Sequence, residues 1–312
     1  MAQYKHIFGP VPSRRLSMSL GIDLVPHKTC TLNCVYCECG RTTNLTLVRK
    51  EYVKTEDVID ELNDYLYDNP APDYITFSGS GEPTLHSDIG VIINKIKILY
   101  PEIPLAILTN GTLLSDETVR QSLLKADLVL PSLDSATKEG FLSIDRPHKA
   151  LDIKEYLEGL VNFRLEFRGK IWLEVFVLPG YNDNDKDLYE LKKAVRRILP
   201  DVLQINTLDR PGALPGLQPA TEETLLKFAN YIGYHNTEII AAIDKRTEVR
   251  SYRLDTENAI LQTVSRRPCT AVDISEILGL HLNEVNKYLG ELETQRKITT
   301  TLQKRGLFYQ TV

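Results

Sequence analysis

The chain has 312 residues, of which 42% are hydrophobic, and a formal net charge of −5. This is enough for a buried core in one large or two smaller domains, and it excludes a general attraction to nucleic acid, although a local basic groove would not change that sum. The first residues lack the pattern of a signal peptide and no apolar run could cross a membrane, so we expect a cytoplasmic protein without a membrane partner.

Short β-rich segments alternate with helical patterns over the first two thirds of the chain. Helices are predicted at 55–66, 89–99 and 117–125. This alternation is typical of an α/β fold with a parallel sheet, in which binding groups lie at the carboxyl ends of the strands. The six predicted strands are 21–25, 74–78, 105–109, 128–133, 171–178 and 202–206.

Three cysteines crowd the loop after the first predicted strand. Cys30, Cys34 and Cys37 have the spacing Cys-x3-Cys-x2-Cys in a chain with only five cysteines. Thiolates are soft ligands, so this spacing predicts an iron–sulfur or zinc site in a reducing compartment. A structural zinc needs a fourth protein ligand, which Cys39 or His27 could supply, whereas a cubane held by three cysteines leaves one iron open for chemistry.

Polar motifs follow the next three predicted strands. Residues 79–83 read Gly-Ser-Gly-Glu-Pro, where the glycines let a ligand approach the backbone and Glu82 offers a carboxylate. Asn110 follows the third strand, and Ser132 and Asp134 follow the fourth. Their side chains suit ligand hydroxyl and carboxylate groups, but Asp134 could equally cap a following helix.

The pattern changes after about residue 250. Three helices (257–264, 271–278 and 282–295) and a hairpin (297–301 with 306–310) predict a small winged-helix-like α+β domain at 251–312, after a first domain at 1–250. Seven acidic residues match seven basic ones from Asp255 onward, whereas phosphate binding favours a basic surplus. We therefore rank a structural or protein-binding role above DNA binding, for which the candidate readers are Asn283, Asn286 and Lys287.

The cysteine spacing, with Tyr36 just before the last cysteine, resembles the radical S-adenosylmethionine (SAM) superfamily. The later Gly81-Glu82-Pro83 and Asn110-Gly111 motifs are similar to that family in their order. The resemblance covers roughly residues 6–250 and implies a partial (β/α)6 barrel of the TIM type. It also implies two cofactors, a 4Fe-4S cluster and SAM, and a reductant such as flavodoxin or ferredoxin. Reductive cleavage of SAM would give methionine and a 5'-deoxyadenosyl radical, which abstracts hydrogen from a substrate.

The resemblance also implies residue roles. The three cysteines would hold the cluster, whose open iron chelates SAM. Gly81 and Glu82 match the motif that binds the SAM amino group, with Ser80 in place of its first glycine. The remaining expected SAM contacts are Asn110, Ser132, Asp134 and Tyr36, whose backbone would approach the adenine or whose ring would shield the cluster.

Further loops hold candidate catalytic residues. Arg146 and Arg210 suit a carboxylate or phosphate, so an anionic substrate is one hypothesis, and His148 could exchange a proton near neutral pH. The alternative is that each arginine pairs locally with the aspartate before it. For Arg15, near the N-terminus, we favour an anchoring role.

Residues 8–15 and 206–212 resemble a branch labelled iron–sulfur oxidoreductases, which is grouped with the tRNA wyosine-base synthases. Those synthases carry further cysteines for a second cluster, and none precedes Cys30 here. The leading hypothesis is therefore a single-cluster radical SAM enzyme of unknown substrate. One alternative is a tRNA- or peptide-modifying enzyme that binds its substrate through the C-terminal domain. Another is a zinc-stabilised winged-helix regulator without catalysis.

Overall fold

One mostly parallel sheet organises the larger part of the molecule. The structure is a computed structural model that describes residues 4–13, 15–209, 212–240, 254–266, 268–303 and 306–312. The strands are β1 (Ile7–Ser13), β2 (Ser17–Ile22), β3 (Thr29–Cys30), β4 (Asn44–Leu45), β5 (Tyr74–Phe77), β6 (Leu105–Thr109), β7 (Leu128–Pro131), β8 (Lys170–Phe176), β9 (Val202–Asn206) and β10 (Thr237–Ile239). The main sheet has the order β1-β2-β5-β6-β7-β8-β9-β10, and β3 pairs with β4 apart from it.

The predicted parallel sheet is confirmed. All neighbours from β2 to β10 pair in parallel, and the six predicted strands correspond to β2 and to β5 through β9. The first prediction, 21–25, covers only the end of β2, because the strand stops at Ile22. The short strand β10 was not predicted, since three residues give too little pattern.

Strand β1 was not among the strands predicted from the sequence. Its two prolines, Pro10 and Pro12, argue against a central strand. They are tolerated because β1 lies at the edge of the sheet, where it pairs only with β2, in antiparallel fashion. The chain before it is held by the Glu61 carboxylate, which accepts the backbone N–H groups of residues 5–7.

Helices cover one face of the sheet. Apolar residues at alternate strand positions, such as Ile75, Ile107 and Leu173, are fully buried against them in the largest core cluster. Alternation along each strand sends the next side chains to the opposite face. The helices are α1 (Thr55–Asp68), α2 (Ile89–Leu99), α3 (Glu117–Leu123), α4 (Lys138–Gly140), α5 (Ile153–Glu166), α6 (Asp185–Ile198) and α7 (Glu222–Ile232).

The inner face of the sheet is partly polar. Arg15 Nη1 lies 2.7 Å from Glu174 Oε2, and Asn206 Nδ2 donates to Glu174 Oε1 at 2.8 Å. The adjacent Leu16 is buried in a small apolar cluster with Ala106 and neighbouring residues. The N-terminal segment is thus anchored on the sheet's interior, in keeping with the role favoured for Arg15.

The C-terminal elements form a second core. They are α8 (Leu254–Arg266), β11 (Cys269–Thr270), α9 (Ala271–Leu278), α10 (Leu282–Thr294), β12 (Ile298–Gln303) and β13 (Gly306–Thr311), which we call the C-terminal unit. Its three strands have the antiparallel order β11-β13-β12. Its buried cluster, which includes Ile260, Val285 and Leu292, is separate from the barrel core. Within the described ranges, no helix is long and apolar enough to span a membrane.

Gly159 gives a test of how tightly α5 packs. A Cβ at Gly159 would lie 2.4 Å from the Ser115 backbone nitrogen. Glycine to alanine in a helix normally stabilises by about 1 kcal/mol, but overpacking against backbone costs about 1–3 kcal/mol. We therefore expect Gly159→Ala to lower the midpoint of thermal unfolding, and Asn162→Ala, on the exposed side of α5, not to lower it. An unchanged midpoint for Gly159→Ala would contradict this packing.

Candidate functional site

The cysteine loop is fixed from several sides. Cys30 ends β3 and pairs with Leu45 of β4. The backbone N–H of Asn33 donates to the Asp145 carbonyl at 3.0 Å, and that of Val35 donates to the Ile144 carbonyl at 2.9 Å. These bonds hold the loop against the segment after α4, so the three thiols occupy defined positions beside the sheet.

Each of the three thiols has a polar neighbour. Asn110 Nδ2 lies 3.5 Å from Cys30 Sγ, and the Cys34 thiol donates to Asp145 Oδ1 at 3.6 Å. Lys28 Nζ donates to Cys37 Sγ at 2.9 Å. The sulfur atoms therefore link the loop to Asn110 after β6, to Asp145 after α4 and to Lys28 before β3.

The thiol protons differ in acidity. Burial, followed by the Glu82 charge, raises the pKa of Cys30 to about 12, and burial raises the pKa of Cys34 well above its ordinary value. A hydrogen bond from Cys39, followed by the charge of Lys28, lowers the pKa of Cys37 to about 5. Since metal ligands bind as thiolates, metal loading must release protons from Cys30 and Cys34.

Glu82 joins the ends of β5 and β6. Its Oε1 accepts from Thr84 N at 3.0 Å, from Thr84 Oγ1 at 2.6 Å and from Thr109 Oγ1 at 2.6 Å. Its Oε2 accepts only the backbone N–H of Asn110, at 2.7 Å. Burial raises the pKa of Glu82 although these hydrogen bonds oppose it. The carboxylate is thus well held, with acceptor capacity left on Oε2 for a further donor.

The loop before Glu82 has tight local packing. A Cβ at Gly81 would lie 2.2 Å from the Thr29 carbonyl oxygen, so only glycine fits there. Ser80, which stands where the resemblance expects glycine, donates through its hydroxyl to Asp23 Oδ2 at 3.0 Å. The departure from the motif is therefore accommodated by a specific hydrogen bond.

Asn110 connects this carboxylate to the cysteine loop. Its backbone N–H binds Glu82, and its Nδ2 donates to Thr31 Oγ1 at 2.8 Å and approaches Cys30 Sγ. The structure thus brings three sequence-predicted residues, Cys30, Glu82 and Asn110, into one connected network.

Ser132 lies at the same edge, and Tyr156 positions it. The Tyr156 hydroxyl contacts the carbonyl oxygen of Ser132 and lies 2.7 Å from the carbonyl oxygen of Asn110. Tyr156 is 3% exposed and comes from α5. Sequence reasoning missed it, because a tyrosine on the apolar face of a helix looks like an ordinary core residue.

Asp134 is not a helix cap, so that alternative is wrong. Its Oδ1 accepts the backbone N–H of Phe176 at 2.8 Å, and its Oδ2 accepts the Tyr36 hydroxyl. The nearby helix α4 is capped by Thr137 instead. The Tyr36 ring stacks on the Phe176 ring with centroids 3.9 Å apart. The Tyr36 side chain is thereby fixed, and its backbone packs against Gly212, where an added Cβ would lie 2.8 Å from the Tyr36 Cα.

Asp145 belongs to this buried group, so the alternative in which it pairs locally with Arg146 is wrong. Asp145 is 4% exposed and faces Cys34 Sγ and Asp134, whereas Arg146 is exposed. Burial, followed by the Asp134 charge, raises the pKa of Asp145 well above its ordinary value. Burial raises the pKa of Asp134 to about 6. Two such carboxyls share a proton near neutral pH rather than both ionising.

The structure describes two of the three candidate catalytic residues, Arg146 and His148. Arg146 has a left-handed backbone, with φ of 46°, and its carbonyl accepts from Asn33 N. His148 is half-buried, and its backbone N–H donates to the Thr31 carbonyl at 2.9 Å. Both residues therefore hold the cysteine loop in position through backbone hydrogen bonds. Arg210 lies outside the described residues.

A cavity of about 1140 Å³ opens between the sheet interior and the C-terminal unit. Ser19 and Thr76 from the sheet and Cys39 from the end of the cysteine loop contribute to one wall. The opposite wall includes Asn283, Asn286 and Lys287 of α10, the candidate readers under the lower-ranked DNA-binding role. Asn283 is 7% exposed, and within the described part of the chain its Nδ2 has no hydrogen-bond partner.

Comparison with known proteins identifies the family of this chain. The family described as the radical SAM superfamily matches residues 24–191. The chain belongs to the radical SAM superfamily.

Curated relatives match a larger share of the chain than the family does. A UPF0026 protein of Methanocaldococcus jannaschii is 31% identical, over 91% of this chain and 90% of that protein. A GTPase Obg of Brachyspira hyodysenteriae is 38% identical, over 92% of this chain. This chain spans only 42% of the Brachyspira protein's length, so its activity does not transfer.

A solved structure shares the fold. The crystal structure of a radical SAM methyltransferase from Sphaerobacter thermophilus superposes with a TM-score of 0.57 at 14% identity. The match covers 71% of this chain and 65% of that chain. The likeness supports the partial-barrel architecture and leaves the reaction open.

The residues fit the superfamily's two cofactors, a 4Fe-4S cluster and SAM. Within the described ranges, no group of three His, Cys, Asp or Glu side chains is arranged to hold a single metal ion. The three cysteines of the loop are the soft thiolate ligands that a cluster requires. Cys30 and Cys37 have nitrogen donors beside their sulfurs, and Glu82 Oε2 can accept from an amine.

Tyr156 offers a test of the cofactor edge. In Tyr156→Phe, two buried carbonyls lose their shared donor, which costs about 1–3 kcal/mol. We expect weaker SAM binding at unchanged iron content, measured by calorimetric titration of the reconstituted protein. Tyr52→Phe, which removes a hydroxyl from a more exposed site bonded to the Val48 carbonyl, should bind SAM like the parent. Equal affinities in all three proteins would exclude this positioning role.

Proposed function

We propose that this protein is a radical SAM enzyme that binds one 4Fe-4S cluster through Cys30, Cys34 and Cys37 and cleaves SAM reductively. The observation that carries the proposal is the Asn110 bridge, since one residue contacts both Glu82 and Cys30. A site for a ligand amine and a cluster-binding thiol are thereby held at one edge of the sheet. A reductant such as flavodoxin or ferredoxin would supply the electron in a cytoplasmic setting.

Different residues of the chain would bind different groups of SAM. The cluster, when bound, supplies the electron and an open iron. Glu82 would accept the SAM amino group on Oε2, with Gly81 leaving room for the approach. Asn110 and Ser132, which Tyr156 holds together, would contact the ribose or the carboxylate. Asp134 would act indirectly, by fixing Tyr36 so that the Tyr36 backbone meets the adenine.

The catalytic roles of Arg146, His148 and Arg210 remain predictions. Arg146 is exposed, so it would act only on a substrate that reaches the rim of the site. His148 Nδ1 already accepts the Ala150 N–H at 3.3 Å, which leaves Nε2 for proton exchange. An anionic substrate stays a hypothesis because it depends on these side chains.

Reductive cleavage of SAM is directly measurable. Protein reconstituted without oxygen and reduced with dithionite should form 5'-deoxyadenosine from SAM, detected by chromatography. Cys30→Ala and Cys34→Ala should lose the cluster and the product, because each removes an iron ligand. Cys39→Ala is the matched control and should keep both.

The metal content separates this proposal from its alternative. Stoichiometric zinc without iron would support a zinc-stabilised regulator and sink the enzyme proposal. An active Cys34→Ala protein would refute the ligand assignment. Iron-containing protein that forms no 5'-deoxyadenosine would require repetition with candidate peptide and RNA substrates, and inactivity with both would count against the enzyme.

We further propose that the C-terminal unit is a winged-helix-like domain, at 251–312 after a barrel domain at 1–250, and that it helps to bind the substrate. Support comes from the order of its elements, in which two helices are followed by a two-stranded hairpin. Its α10 face lines the cavity rather than open solvent. The substrate would then be a peptide or an RNA segment that enters between the two domains.

The orientation of α10 gives a prediction about DNA. A groove-reading helix must be open to the duplex, whereas Asn286 and Lys287 face the cavity. We expect only weak, sequence-independent binding of labelled duplex DNA by fluorescence anisotropy, equal in the parent and in the Asn286→Ala, Lys287→Ala double variant. Tight binding that depends on DNA sequence and is lost in the double variant would favour a DNA-binding role instead.

A further inference from the structure

Lys28 is a buried lysine at the entrance to the cysteine loop. It is 3% exposed and has a left-handed backbone, with φ of 58°. Its N–H donates to the Ser80 carbonyl at 3.0 Å, and its carbonyl accepts from Thr43 N at 3.2 Å and Asn44 N at 3.1 Å. A residue other than glycine rarely adopts this conformation, and the three bonds hold it there.

The ammonium group of Lys28 has an unusual partner. Nζ lies 2.9 Å from Cys37 Sγ, and within the described residues no carboxylate pairs with it. Lysine is almost never fully buried unless paired, so the thiolate is the group that balances its charge. A lysine side chain carries an ammonium group with three N–H donors. The contact therefore places a positive charge and an N–H donor directly on Cys37 Sγ.

A cation at this distance from a cluster ligand has a redox consequence. Reduction of a 4Fe-4S cluster adds one electron and makes the cluster more negative by one charge. A neighbouring positive charge stabilises that reduced form more than the oxidised form, and the effect is large where little water screens it. Hydrogen bonds to the ligand sulfurs act in the same direction.

We propose that Lys28 is a positioning residue that tunes the cluster, raising its midpoint potential by placing a buried positive charge and an N–H donor on Cys37 Sγ. This inference rests on the proposed function, because it requires a cluster on the cysteine loop. The electron comes from the external reductant, and Lys28 keeps its proton throughout. Its contribution is to make the first reduction step easier for a weak cellular donor.

The test is a redox titration of the reconstituted protein without SAM, with dithionite as reductant and electron paramagnetic resonance of the reduced cluster as readout. Lys28→Met keeps the length of the side chain and removes the charge, so its midpoint potential should shift to a more negative value. Lys28→Arg keeps the charge and should stay close to the parent. Lys97→Met is the matched control, since Lys97 pairs with Asp127 near the start of β6, at the far end of that strand from Glu82.

Iron and sulfide content must match the parent in each variant. If Lys28→Met does not hold the cluster, Lys28→Gln provides a second neutral side chain, and the same negative shift is expected. An unchanged potential in the neutral variants would overturn the proposal. An unchanged potential with weakened SAM binding would also overturn it and make Lys28 a SAM contact.

The experiment distinguishes a wrong role for Lys28 from a wrong proposed function. If the parent protein binds no iron–sulfur cluster, the enzyme proposal itself is wrong and the potentials cannot be measured. If the parent shows a reducible cluster but Lys28→Met, Lys28→Gln and Lys97→Met all match its potential, the cluster stands and only the role of Lys28 is lost.

Discussion

The buried Glu82 carboxylate is the interaction on which the site depends. It lies just beyond β5, and among the described residues it accepts four hydrogen bonds: two from Thr84 in its own turn, and one each from Thr109 and Asn110 at the end of β6. Removing a charged group from water is costly unless donors replace the lost hydration, and here they do so almost completely. The Glu82 side chain therefore holds the ends of β5 and β6 together. Asn110, at the end of β6, in turn contacts Cys30. The cofactor edge is organised before any ligand arrives.

A second buried carboxyl group supports the other side of the cysteine loop. Asp134 binds the Tyr36 hydroxyl and the backbone N–H of Phe176 at the end of β8, while Asp145 contacts the Cys34 thiol. Because the two carboxyls share a proton, this cluster avoids two adjacent buried charges. The loop is thus held between the hydrogen-bonded Glu82 side chain on one side and the carboxyl pair of Asp134 and Asp145 on the other. Its position depends on contacts from several distant strands rather than on its own sequence.

The sequence was sufficient to predict the parts that depend on local pattern. Fully buried parallel strands such as Leu105–Thr109 are continuous apolar runs with a polar residue at their end, so both the strand and Asn110 could be found. Tyr156 and Lys28 could not, since their roles arise from contacts with residues distant in the chain or from burial that no local pattern reveals. A local ion pair between Asp145 and Arg146 was one of two alternatives, because the two residues are adjacent in sequence. In the fold, one side chain points inward and the other outward.

The contact between the barrel and the C-terminal unit involves the same cofactor loop. The His281 ring, at the start of α10, stacks on Phe8 with centroids 4.6 Å apart, and its Nε2 lies 3.7 Å from Asp23 Oδ2. Burial lowers the pKa of His281 to about 4, so the imidazole is neutral at pH 7 and the contact depends on stacking and packing rather than on an ion pair.

Asp23 connects His281 to the loop that contains Ser80 and Glu82. Its Oδ2 also accepts from the Ser80 hydroxyl and backbone N–H, and a Cβ at Gly79 would lie 2.3 Å from its Oδ1. The carboxylate is therefore wedged between the loop that leads to Glu82 and the first turn of α10. The start of α10, a helix that lines the cavity, and the loop that carries Ser80 therefore both contact Asp23.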